Sequence, residues 1–109
     1  MTYRIVLTSK SELQLAEAAL WWSENRDAVQ AARWLEKFEE TLATLAQNPQ
    51  KHGVIHETAI YDFPHTVRQL PFGLGRKPTH RAVFEIRGET VYVVAIHHLA
   101  QRDLLPEYI

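Results

Sequence analysis

Two kinds of periodicity divide the chain. Between Leu13 and Leu45 apolar residues recur at three- and four-residue steps. From Ala82 to Ala95 they alternate with the opposite face, as they do along a strand. The first pattern predicts two helices. Leu13, Ala16, Leu20 and Leu15, Ala19, Trp22 give the first a wide apolar stripe, and Val29, Ala32, Leu35, Phe38, Leu42 and Leu45 mark the second. Ser9-Lys-Ser-Glu12 has the form of a capping box and starts the first helix, which ends near Glu24-Asn25. Asp27 caps the second, and Asn48-Pro49 ends it. So short a link predicts an antiparallel helical hairpin.

Strands flank this hairpin. Thr2–Leu7 and Thr66–Leu70 read as short strands, and Pro71–Pro78 as a loop with two glycines and two prolines. Gly88-Glu89 is the turn of a β-hairpin, with Gly88 supplying a positive φ. A two-residue loop there sets Arg87 opposite Thr90, Phe84 opposite Val93, Ala82 opposite Ala95 and Arg81 opposite Ile96. One face of the ribbon then carries Ala82, Phe84, Ile86, Val91, Val93 and Ala95, and must be covered. The other carries Arg81, Val83, Glu85, Arg87, Tyr92, Val94, Ile96 and His98. In this register His97 stands opposite His80 on the covered face, and His98 shares the mixed face with Arg81. The order β-α-α-β-β-β predicts an α+β fold: an N-terminal strand, then a helical hairpin packed on one face of a small, mainly antiparallel sheet. Trp21, Trp22 and Trp34 read as packing residues between helices and sheet.

The 109 residues are enough for one domain, 1–109, with one core. The absence of cysteine excludes disulfides and thiolate chemistry. No run approaches a membrane span and the N-terminus lacks the shape of a secretory signal, so the expected location is the cytoplasm. The net charge of −1 hides an asymmetry: residues 1–65 sum to −3 and residues 66–109 to +2. Arg68, Arg76 and Lys77 lie between Thr66 and His80 with no acid among them, a local patch able to meet phosphate.

The succession of pieces resembles a known family. A strand and two helices precede Leu-Ala-Gln-Asn-Pro-Gln. An Arg-Gln-Leu strand follows, then His-Arg-Ala-Val-Phe-Glu-Ile, then Val-Tyr-Val-Val-Ala-Ile-His-His-Leu-Ala-Gln-Arg-Asp-Leu. This is similar to the RelE/ParE superfamily of toxins from type II toxin–antitoxin modules, over nearly the whole chain. The resemblance implies a small toxin neutralised by a cognate antitoxin. It implies one of two activities: RelE-like members cleave mRNA on the ribosome without metal, whereas ParE-like members block DNA gyrase. A toxin that only binds its antitoxin is a third reading. No cofactor and no membrane partner are implied.

Metal-free RNA cleavage needs a base, cations for the phosphorane charge and an acid for the leaving oxygen. Arg81 and Arg68 are the candidate cations, His98 the acid or base, and Glu57 a base if its loop folds over the sheet. Arg76, Lys77 and Arg102 are the candidate nucleic-acid contacts. Arg81 reads equally well as a solvated residue at a strand start, and Arg102 as a cap on the sheet edge beside Asp103. His52 and His56 stand four apart beside Glu57, but Gly53 and Pro49 argue against the helix that would converge them on a metal, so no metal site is assigned. Four lysines in all, with only Lys77 near the ribbon, depart from the strongly basic ribonucleases of the superfamily.

Overall fold

A computed structural model describes residues 2–56, 65–100, 107 and 109. The elements are β1 (Arg4–Leu7), α1 (Ser9–Asn25), α2 (Ala28–Ala43), β2 (Arg68–Phe72), β3 (His80–Arg87) and β4 (Thr90–His98). The four strands lie in the order β1-β4-β3-β2, with β1 parallel to β4 and the other pairs antiparallel. Two short 3-10 turns, Thr44–Ala46 and Pro49–Lys51, follow α2.

The helix starts are set by side-chain caps. Thr8, one residue earlier than the Ser9 expected from the capping-box pattern, accepts the Ser11 N–H at 3.2 Å, and the Ser11 hydroxyl donates back to the Thr8 carbonyl at 2.9 Å. Asp27 caps α2 as expected, accepting the Gln30 N–H at 2.7 Å. The core face of α2 is formed by Ala31, Trp34, Phe38 and Leu42. This stripe is rotated from the expected one: Val29 is 80% exposed, while Leu35 packs partly against the core. The indole of Trp34 decides the rotation, since it reaches Phe38, Phe72 and Trp22 together. On α1, Leu15, Ala19 and Trp22 face the sheet, and Leu13, Leu20 and Trp21 face outward.

The main core lies between this hairpin and one face of the sheet. It joins Trp34, Phe38, Leu42 and Leu45 to Leu70, Phe72, Ala82, Phe84, Val91, Val93 and Ile96. β2 runs two residues later than expected and includes Pro71. Pro71 is tolerated because β2 is the edge strand, where a missing N–H costs no ladder bond.

The turn at Gly88, φ 58°, sets the predicted register from Arg87↔Thr90 to Phe84↔Val93. A β-bulge then leaves Val94 without a partner, and the pairs become Val83↔Ala95, Ala82↔Ile96, Arg81↔His97 and His80↔His98. The expected pairings of Ala82 with Ala95, Arg81 with Ile96 and His80 with His97 are therefore corrected by one position. The second face of the sheet is also covered, by a smaller cluster of Ile55, Val67, Val83, Val94 and Ala95. The Ile55 N–H donates to the Val67 carbonyl at 2.9 Å, which folds residues 53–55 along β2.

Candidate functional site

The bulge decides which polar side chains meet. Arg81 lies on the second face and is only 5% exposed. Its Nε donates to His97 Nδ1 at 3.1 Å, and its Nη1 to Gln69 Oε1 at 3.1 Å. Gln69 and His97 come from the strands on either side, so the guanidinium ties β2, β3 and β4 together. His97 accepts through Nδ1, which places the proton of the neutral ring on Nε2. Arg81 is a buried structural cation, not a solvated residue at an exposed strand start.

His98 belongs to the other face. It pairs with His80, ring centroids 4.5 Å apart, and its Nδ1 accepts the Ala100 N–H at 3.0 Å. His80 is buried against Trp34, 5.1 Å between rings, with Thr79 Oγ1 2.8 Å from its Nδ1. Its pKa is pushed down to about 4, first by burial and then by His98 and His97 nearby, so the ring is neutral at pH 7. The expected juxtaposition of Arg81 and His98 on one face is thus replaced by two separate pairs, Arg81–His97 and His80–His98.

Arg68 does not join Arg81 either. It stands opposite Phe84, whereas Arg81 stands opposite Pro71, so the two arginines point to opposite faces. The Arg68 Nη1 donates to the carbonyls of His52 (2.7 Å) and Gln50 (3.1 Å), clamping the turn after α2. His52 packs edge-on against Phe84. Its pKa is lowered by burial first, then by Lys51 and Arg68. Arg76 and Lys77 are exposed in the β2–β3 loop. Gly73 starts that loop because a Cβ there would sit 2.5 Å from the Lys77 carbonyl oxygen. Glu57 and Arg102 lie outside the described residues. Among the described residues no three potential ligands gather around a metal position.

Two concavities flank α1. One, of about 500 Å3, is an apolar groove between the helical hairpin and β1, lined by Ile5, Leu7, Leu15, Leu35 and Leu42 with Glu12 and Glu39 at its rim. The other, of about 450 Å3, lies between α1 and the end of β4, where Trp21, Trp22 and Glu17 face Ile96, His97 and His98. Next to it the Gln14 side chain accepts the Ile96 N–H at 2.8 Å. Neither Gln14 nor the pairing role of Gln69 carries a sequence signal; each depends on the register past the bulge.

The comparisons with known proteins agree with this architecture. The family described as "ParE toxin of type II toxin-antitoxin system, parDE" matches residues 5–103. A solved structure described as "Chromosomal ParDE TA system from P. aeruginosa" superposes with a TM-score of 0.70 over 89% of this chain and 96% of that one, at 15% identity. No curated protein matches in sequence. Among the described residues no helix is long and apolar enough to cross a membrane.

Proposed function

This chain belongs to the ParE family of type II toxin–antitoxin toxins, and from that premise we propose that it arrests growth by binding DNA gyrase rather than by cleaving mRNA. The family brings with it a cognate antitoxin as partner. The observation that carries the gyrase reading is the separation of the polar groups that cleavage would need. A metal-free ribonuclease concentrates cations and an acid–base pair around one phosphate. Here Arg81 is buried and engaged with His97 and Gln69, Arg68 is bound to backbone carbonyls on the other face, and His98 stacks on a neutral His80. Inhibition by binding needs none of these to converge. It needs a stable fold that presents exposed surface, and the outward residues of α1 together with the Arg76–Lys77 loop provide it.

Controlled induction tests the proposal. Growth arrest should accompany loss of gyrase supercoiling activity in a purified assay, with no new 5′ ends in primer extension on mRNA. Toxicity should survive His98→Ala, because that imidazole has no acid–base task in this reading. RNA ends that appear on induction and vanish in His98→Ala would restore ribosome-dependent cleavage and remove the gyrase proposal.

A further inference from the structure

β4 outruns its neighbour. β1 pairs with it only as far as Leu7↔Val93, and the Thr8 N–H makes the last bond, to the Val93 carbonyl at 3.0 Å. Five more residues of β4, Val94–His98, continue beyond that point. Their inner edge is filled by β3, and the Leu99 N–H donates inward to the Thr79 carbonyl at 2.9 Å. Alternation along the strand therefore turns the N–H groups of Ile96 and His98 to the outer edge. The Ile96 N–H is met there by a side chain, Gln14 Oε1 from α1, instead of by a strand.

The pocket beside this edge is lined by Ile96 and His98 from one face of β4 and by His97 from the other, so it straddles the edge of the strand. Its far wall is α1, with Glu17, Ala18 and Trp21 one turn apart. Trp21 is 52% exposed, and Trp22 holds a buried indole N–H with no acceptor. Glu17 is exposed on the rim and has no ion-pair partner among the described residues.

We infer that the outer edge of β4 at Val94–His98 receives an extended segment of the cognate antitoxin as an added strand, and that Gln14 holds the edge until that segment displaces it. This rests on the toxin reading above. Strand addition supplies affinity through main-chain bonds and specificity through alternate side chains. The segment is therefore extended, sets an apolar side chain against Trp21, Trp22 and Ile96, and carries a basic residue that faces Glu17. Its carbonyls are the acceptors that the Ile96, His98 and Trp22 N–H groups call for.

The test uses the full-length toxin, the antitoxin expressed from the adjoining reading frame, and overlapping synthetic peptides that tile the antitoxin. Amide exchange is followed by NMR. One peptide should bind and slow exchange at Ile96 and His98 by about tenfold or more. Glu17→Lys, on an exposed helix position, should weaken that peptide roughly threefold to tenfold. Gln14→Ala should tighten it by a similar roughly threefold to tenfold, because a competing hydrogen bond is removed. An antitoxin complex in which both amides exchange as in the free toxin overturns this inference and leaves the toxin reading in place. So does a Gln14→Ala variant, folded by circular dichroism, that binds no tighter. Failure of the full-length antitoxin to bind at all overturns both.

Discussion

Acidification should unfold this protein through His80. The ring is held neutral among Trp34, Phe38 and His98, with a folded pKa of about 4 against 6.5 when the chain is unfolded. Between those values the unfolded chain binds a proton that the folded one refuses. The stabilisation is complete above pH 6.5 and is lost as pH falls toward 4. One unit of difference corresponds to about 1.4 kcal/mol, so the loss approaches about 2 kcal/mol by pH 5 and about 3 kcal/mol by pH 4. That is a large part of the stability of an ordinary domain. His52, whose pKa is also lowered by burial, adds a smaller effect of the same sign. Urea unfolding followed by tryptophan fluorescence at pH 7, 5.5 and 4.5 measures the slope. His80→Asn keeps a polar group near Thr79 but cannot titrate, so its stability should fall less steeply with acid, whatever its starting value. Parallel slopes for the wild type and His80→Asn would refute the reasoning, because the titrating group would then lie elsewhere.

Three further outcomes are expected. Phe84→Ala empties the centre of the main core and should cost roughly 3–5 kcal/mol in a denaturant melt; a near-neutral result would mean that Phe84 does not face the helices. Arg81→Ala leaves His97 Nδ1 and Gln69 Oε1 without their donor inside the sheet, and should cost about 1–3 kcal/mol; an unchanged urea midpoint would show that the guanidinium does not tie the strands. Gly73→Ala drives a Cβ into the backbone of Lys77 and Pro78 and should lower the thermal midpoint and broaden the NMR signals of residues 73–79, whereas Gly75→Ala, which meets nothing within 4 Å, should leave both unchanged.

Much of this fold is legible in the sequence because burial has a period. The helical hairpin follows from apolar steps of three and four, and the Phe84–Val93 half of the ribbon follows from alternation and the Gly88 turn. The rotation of α2 is not legible in the same way. Val29 and Trp34 both count as apolar, and only the reach of an indole across Phe38 and Phe72 selects the face. Strand partners for β1 are equally silent: its parallel pairing with β4 depends on where the hairpin places the chain. The candidate site fails at one residue. Val94 looks like any other β-branched residue in a strand, and nothing local marks it as the one without a cross-strand partner.

That single residue governs the chemistry available to the sheet. In an unbroken register, the cation Arg81 and the imidazole of His98 would share a face. With Val94 left over, every residue after it changes side: Ile96 enters the main core beside Ala82, Ala95 joins Val83, and His97 meets the Arg81 guanidinium. The same insertion turns His98 onto His80, beside the end of α1 and the edge that Gln14 closes. One irregularity therefore draws the cation into the sheet, where it holds strands together. It also carries the second histidine to a surface suited to a protein partner. A binder tolerates this exchange, since recognition at a strand edge uses main-chain groups that every residue possesses. A nuclease does not, because its acid and its cation must meet the same phosphate.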